Sequence, residues 1–547
     1  MAEAGPTTTD EDVQRLRDTM AAAQAGDLAR AFQLSEAALA DGLEHPVFFR
    51  LRGLKREQAG RIAEAAGDFA AALADTPDDV AVLDMLGLCL ARLGRMDEAL
   101  KALNTAVRLQ PGYAPAHFNR GWALESLGDL AGARAGYGTA LKLDTGHGRA
   151  AGALALLAAR AGRWDEAREA TDRAMAIDPA DLGARLARAM TLLGEGSAAE
   201  AEAIARGLLK EPRLPIDQRA VVLTLIGDAV DRQDRSAEAF GAYQSANETL
   251  RELYAARFGV GGIETGLAIT MRLQRAFEGV DPAAWRAPLE PAAQPSPAAG
   301  HVFVIGFPRS GTTLLGQVLA AHPQVTTLDE LETLGEAGRA FLLDEAGLGR
   351  LAAASSAELD RHRDAYWRRV RALGATTDGR TFVDKLPMNT LSLPLIARLF
   401  PEAKVVFVRR DPRDVILSCF RRQFVANGMT FELLSLQGAA RFYDAVMRLA
   451  ERYMAALELD LKIQRHEDLV ADFAGQTARL CGFLGLPQDP AMARFAEAEG
   501  RAEIATPSAA QLVGGLSGEG VGQWKRYETQ LAPVIPTLKP WIESFGY

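Results

Sequence analysis

VFVIGFPRSGTTLLGQVLAAH, residues 302–322, decides the architecture of the second half of this chain. Its opening run VFVIG is apolar and β-branched, which predicts a short strand buried on both faces. SGTTLLGQVLAAH then carries apolar residues at helical spacing, so GFPRSGTT is a glycine-containing turn between a strand and a helix N-terminus. Free backbone N–H groups and the helix dipole converge at such a turn, which makes it an anion cradle for phosphate or sulfate.

Gly306 and Gly311 have the G-x-x-x-x-G spacing of a nucleotide-phosphate loop, but Thr312 stands where a lysine should follow, with Thr313 in the Ser/Thr position. A nucleoside triphosphatase uses that lysine on its β and γ phosphates and the hydroxyl on magnesium. Here the cation in the loop is Arg309, which can clamp two oxygens of one anion without a metal. The bland alternative is a helix start with no ligand.

A second anion site is suggested by KVVFVRRDPRDVILSCF, residues 404–420, where a buried strand runs into a helix that Asp411 can cap and Pro412 can start. Arg410 ends the strand, and Ser418 lies two turns along the helix, so both could face one phosphate. Taken alone, such arginines are as often surface salt-bridge partners.

Upstream, the chain repeats itself with a period of 34 residues. Gly53, Gly87, Gly121, Ala155 and Ala189 form one column, and Gly26, Gly60, Gly94, Gly128 and Gly162 a second. Ala31, Ala65, Ala99, Ala133, Ala167 and Ala201 form a third; Ala38, Ala72, Ala106, Ala140 and Ala174 a fourth; Pro77, Pro111 and Pro179 close three units. Each unit reads as two helices with a small residue at their crossing and a glycine at the turn. The pattern resembles the tetratricopeptide repeat over about residues 12–215, with a slipped copy near 219–253, roughly seven repeats in all. Stacking would give an α-solenoid whose concave surface binds a protein or peptide, or else serves as a spacer or pairs two copies as a homodimer. An asparagine ladder for gripping peptide backbone is not there: the positions two before the crossing column are Leu51, Met85, Asn119, Ala153 and Ala187.

The expected organisation is therefore a repeat solenoid over 12–253, a connecting helix and the Pro/Ala-rich linker APLEPAAQPSPAAGH within 254–300, and an α/β domain with a mostly parallel sheet over 301–547. The length of 547 residues predicts three to four structural units, and a net charge of −10 gives no global footprint for nucleic acid or an anionic membrane. Three scattered cysteines, Cys89, Cys419 and Cys481, support neither a disulfide framework nor a zinc site. With no signal-peptide pattern and no long apolar run, a cytoplasmic protein without a membrane span is expected.

The two anion motifs together resemble the sulfotransferase superfamily, and PRSGTT is most like the tyrosylprotein sulfotransferases and their bacterial relatives; the resemblance covers about residues 300–530. It implies that Arg309, Ser310, Gly311, Thr312 and Thr313 hold the 5′-phosphosulfate of 3′-phosphoadenosine 5′-phosphosulfate (PAPS), and that Arg410 and Ser418 hold its 3′-phosphate. It further implies a catalytic base at Glu330 in TTLDELETL, with Asp329 and Glu332 as rivals, and a charge-stabilising Lys385 in TFVDKLPMN. Ser508 matches a hydroxyl near the sulfate, and Trp524 and Lys525 match a nucleotide-closing loop. No metal is implied. Three departures weigh against donor affinity: His466 replaces a tyrosine, QLVGGLSGEG lacks a basic residue and a proline, and Gln523 replaces a cation before the tryptophan.

The implied activity is sulfuryl transfer to an acceptor hydroxyl, a protein or peptide tyrosine being favoured and a glycan, lipid or small phenol left open. The rivals are a metal-dependent kinase or nucleotidase, which the missing lysine opposes, and a catalytically weak or inactive nucleotide-binding scaffold, which the departures favour.

Overall fold

The 34-residue period becomes fourteen helices, from Asp10–Gln24 and Leu28–Ala40 to Ile216–Asp231 and Ser236–Phe258, in seven consecutive pairs. The structure is a computed structural model that describes residues 9–212, 214–259, 261–286, 293–497, 516 and 518–547. Each small-residue column has a separate physical task. Gly26, Gly60, Gly94, Gly128, Gly162 and Gly196 all turn the chain at φ between 69° and 92°, a left-handed backbone open to glycine without strain. At the crossing, a Cβ on Gly87 would sit 2.5 Å from Leu103 Cγ, so the missing side chain lets Val80–Arg92 and Met96–Leu109 approach closely. The second helix buries Ala99, Ala102, Leu103 and Ala106, the i, i+3, i+4, i+7 stripe of an amphipathic helix. Asn119, on the column tested for a ladder, is buried and donates to Asp84 Oδ1 at 2.8 Å, so it ties two repeats together internally.

The chain divides into two compact units, one ending at Arg188 and the other beginning at Ala189. The first is all helical. The second starts with helices of the repeat type, continues through Gly266–Glu278, and then builds a sheet of five parallel strands: β1 (Gly300–Gly306), β2 (Val325–Asp329), β3 (Thr381–Lys385), β4 (Lys404–Arg409) and β5 (Asp460–Arg465). Their order is β2-β3-β1-β4-β5.

Both faces of β1 are covered, which is why its sequence is a continuous apolar run rather than an alternating one. Val302 and Val304 pack in a cluster with Leu314, Leu315 and Val318 of the helix Thr312–Ala320. Phe303, on the opposite face, lies 5.9 Å from the Phe400 ring and 6.1 Å from that of Tyr366. After β1 the chain leaves toward β2 on one side, and after β4 it leaves toward β5 on the other. The carboxyl ends of these neighbouring strands therefore form a topological switch point, the crevice where open α/β sheets bind ligands. No helix among the described residues is long and apolar enough to cross a membrane.

Candidate active site

The switch point brings the two anion motifs together. Register pairs Gly306 with Val408, so the loop after β1 and the segment after β4 leave the sheet side by side. Arg309 Nε donates to Ser418 Oγ at 2.9 Å, and Arg410 Nη1 donates to the Arg309 carbonyl at 3.0 Å. Arg410 Nη2 also donates to the Gly520 carbonyl. Arg309 and Arg410 are only 9% and 8% exposed, so two cations share a nearly dry crevice. Burial pushes the Arg309 guanidinium down to about 9, and repulsion from Arg422 and Arg410 pushes the same way. A bound anion would relieve that repulsion.

The loop itself is shaped as a cradle. Arg309 has φ 68° and Gly311 φ 104°, and a Cβ on Gly311 would lie 2.5 Å from His466 Nδ1. Ser310, Thr312 and Thr313 are buried, and Ser310 Oγ, Arg410 Nε and His466 Nδ1 are buried without a hydrogen-bond partner. Orphaned polar atoms of this kind are costly unless a ligand satisfies them. Burial pushes the His466 imidazole down to about 3, helped by Arg410 and Arg309, so the residue in the tyrosine's place is neutral and touches the loop. Cys419 Sγ donates to the Pro308 carbonyl at 3.4 Å and holds the loop from below.

The second cluster sits at the adjoining strand ends. Register pairs Asp329 of β2 with Lys385 of β3, and Val304 of β1 with the same lysine. Glu330 follows β2 with φ 54°; its N–H donates to the Lys385 carbonyl at 2.7 Å, and Lys385 Nζ donates to Glu330 Oε1 at 2.9 Å. Lys385 also pairs with Asp329. The ammonium is wholly buried, while the Glu330 side chain is 36% exposed at the mouth. Burial raises the Asp329 carboxyl, an effect that Lys385 opposes. Glu332, the other rival, folds back over Gly335 at the start of a different helix. Of the three acids, Glu330 thus combines contact with Lys385 and access from outside.

Trp524 and Lys525 lie in a 3-10 turn, Gln523–Tyr527, that Asp414 fastens to the helix Pro412–Phe420. Asp414 accepts from Gly522 N at 2.6 Å and from Trp524 N at 2.9 Å, and the Arg413 guanidinium stacks 3.8 Å from the Trp524 ring centroid. Lys525 is exposed. Ser508 lies outside the described residues. At the position where a cation is replaced, Gln523 Oε1 accepts from Arg421 Nη1 at 3.1 Å, so positive charge reaches the place from another element. Sequence reasoning passed over Asp414, Arg421 and Arg422. The only available signal was an acid three residues after the capping Asp411 and an Arg-Arg pair directly after the helix that carries Ser418.

Residues 301–490 match the sulfotransferase family, and residues 50–114, 97–147 and 118–182 match the tetratricopeptide repeat. An uncharacterized protein of Aquifex aeolicus (strain VF5) is 27% identical over 255 residues, which is 44% of this chain and 33% of that one. Protein-tyrosine sulfotransferase 1 of Danio rerio is 25% identical over 264 residues, 45% of this chain and 72% of the enzyme. Nodulation protein NoeE of Sinorhizobium fredii (strain NBRC 101917 / NGR234) is 32% identical over 132 residues, 22% of this chain and 32% of that one. The chain thus spans about a third of the length of the Aquifex and Sinorhizobium proteins. A solved tetratricopeptide repeat protein from Parabacteroides merdae is 21% identical, with a TM-score of 0.34, covering 43% of this chain and 92% of that one.

Proposed function

We propose that this chain, in which tetratricopeptide repeats precede a sulfotransferase-family domain, transfers a sulfuryl group from PAPS to an acceptor hydroxyl. The observation that carries this reading is the single hydrogen-bonded cluster of Arg309, Ser418 and Arg410 beside the Glu330–Lys385 pair. A donor with separate 5′-phosphosulfate and 3′-phosphate groups needs two anion sites a short distance apart. The buried orphan atoms of Ser310 and Arg410, and the cradle that a Gly311 side chain would fill, suit such a ligand.

Arg309, the Ser310 hydroxyl, the N–H groups of Gly311 and Thr312, and the Thr312 and Thr313 hydroxyls hold the phosphosulfate; Arg410 and Ser418 hold the 3′-phosphate. Trp524 and Lys525 close over the nucleotide. When bound, the donor supplies an activated sulfuryl group whose bond to the phosphate oxygen breaks as the acceptor oxygen bonds to sulfur. Glu330 takes the acceptor hydroxyl proton at its exposed carboxylate. Lys385 and Arg309 neutralise the negative charge gathering on the phosphate that leaves with the bonding pair. Because these cations are fixed and nearly dry, they stabilise that charge without reorganising. No metal enters the scheme, and full activity in the presence of a chelator is expected.

The acceptor is a tyrosine of a protein or peptide, presented to the site by the repeats, and the reaction belongs to a cytoplasmic enzyme. The likeness to the zebrafish protein-tyrosine sulfotransferase supports that choice. Incubating the protein with PAPS and a tyrosine-containing peptide, with a simple phenol in parallel, tests it. Sulfated peptide and released 3′-phosphoadenosine 5′-phosphate (PAP) in equal amounts are expected; released nucleotide without sulfated product would leave only hydrolysis.

A further inference from the structure

The last copy of the repeat, Ile216–Asp231 with Ser236–Phe258, turns its polar side chains onto the residues that surround the anion cluster. Asp231, 5% exposed, accepts from Arg421 Nη2 at 2.6 Å and from the Tyr527 hydroxyl at 2.6 Å, and pairs with Arg526 at 3.0 Å. One buried carboxylate therefore ties the residue after the Ser418 helix to the C-terminal end of the turn that carries Trp524. Asp228 accepts from Arg422 Nη1 at 2.8 Å and from the Tyr243 hydroxyl at 2.7 Å. Asn247 Nδ2 donates at 2.8 Å to the carbonyl of Phe420, the last residue of the Ser418 helix, and the Phe240 and Phe420 rings stack 5.1 Å apart.

These contacts leave the repeats, whereas the ion pairs of the earlier repeats stay among them; the buried Asp68, for one, pairs with Arg52 and Arg56. Arg61–Glu64 and Arg95–Glu98 join a cap residue to the first turn of its helix, with about half of each side chain exposed. Exposed pairs of that sort contribute little. The side chains of Arg421 and Asp231 are 9% and 7% exposed, where losing one partner strands the other. Arg422 and Arg309 are like charges that repel, so a carboxylate is needed to keep Arg422 turned toward the crevice.

We infer that this helical pair is a working part of the donor site, with Asp231 and Asp228 as positioning residues that hold Arg421, Arg422 and the turn Gln523–Tyr527 in place for the nucleotide. The inference rests on the donor reading above. Neither carboxylate touches the reacting atoms; each acts through the arginines and the turn. Disturbing them should therefore change how the donor binds and leave the handling of the acceptor as it was.

The test compares the whole 547-residue chain with its Asp231→Asn and Asp228→Asn variants, measuring PAP affinity by calorimetry and steady-state constants for PAPS and for a phenol acceptor. Loss of a hydrogen bond to a charged group predicts about a tenfold rise in the PAP Kd and in the donor KM of Asp231→Asn. The acceptor KM should stay unchanged. A lowered melting temperature with unaltered donor constants would reduce the two residues to structural pairing and overturn the inference. Should Asp231→Asn fail to fold, Tyr527→Phe removes one hydroxyl from the same carboxylate, and about a threefold rise in donor KM is expected; no rise would again overturn it. If the unaltered protein does not bind PAP, the donor reading itself falls and this inference with it. If it binds and the folded variants bind equally well, this inference alone fails.

Discussion

Arg309 and Glu330 share an uncommon property: both hold left-handed backbone, at φ 68° and 54°, without being glycine. Such conformations cost about 1–3 kcal/mol each and persist where the surroundings enforce them, typically at sites of chemistry. For Glu330 the enforcing contact is its N–H on the Lys385 carbonyl, which aims the carboxylate at the Lys385 ammonium and the mouth. Glu330→Gln should thus abolish turnover while PAP binding stays within about twofold, because an amide still accepts from Lys385 but cannot take a proton; parallel calorimetry and assay would check this. Lys385→Met should do more. It strands the buried Asp329 without its cation, so a destabilisation of about 3–5 kcal/mol is expected in denaturant titrations. Arg410→Ala should weaken PAP by about 1.5–3 kcal/mol, the range for a hydrogen bond to a charged group, and barely affect the analogue lacking the 3′-phosphate. Arg309 and Arg410 were legible as candidate anion ligands because each follows a strand signal within a few residues, whereas Glu330 rests on the resemblance alone. Asp414 was not legible, since its partners Gly522 and Trp524 lie about a hundred residues further along and meet it only after folding.

Elements were legible wherever periodicity is strong. The run VFVIG reads as a buried strand and is one, and the Pro-started helix after Asp411 is capped by that residue's side chain on Arg413 N. The turn Gln523–Tyr527 gave no such sign, because its main supports are distant in sequence, the Asp414 carboxylate on another helix among them. Asp414→Ala should therefore release the turn and weaken PAP by several-fold, while the melting temperature, set by the sheet and its helices, shifts little. Gly311 makes the opposite case, an element whose shape depends on a single missing side chain. Gly311→Ala must place a Cβ against His466 at φ 104°, a left-handed conformation that costs about 1–2 kcal/mol even without the contact. Reduced stability together with lost PAP binding is expected. Intact binding would mean that the loop does not cradle the phosphosulfate.

For the whole molecule, the repeat was readable because a 34-residue period leaves the same small residues at every crossing and turn. What the period concealed is that the last pair has a second set of partners. Asp228 and Asp231 look like ordinary acids on a helix, and only the fold brings them to Arg421, Arg422 and Tyr527. A truncation series separates the two uses of the helices. Removing residues 1–177, the first five pairs, should leave PAP binding and phenol sulfation intact but impair sulfation of a macromolecular acceptor. Removing residues 1–258 should abolish donor binding as well, because the supports of the Ser418 helix and of the Trp524 turn go with it.

The central claim is that the joined crevice of Arg309, Arg410 and Ser418 is a site for a 3′-phosphorylated adenine nucleotide. Calorimetric titration of the purified 547-residue chain with PAP, in the absence of magnesium and beside adenosine diphosphate, tests it most directly. Metal-free binding of PAP in the micromolar range, with adenosine diphosphate at least about tenfold weaker for want of the 3′-phosphate, is the predicted result. Equal binding of both nucleotides, binding that requires magnesium, or none at all would contradict it.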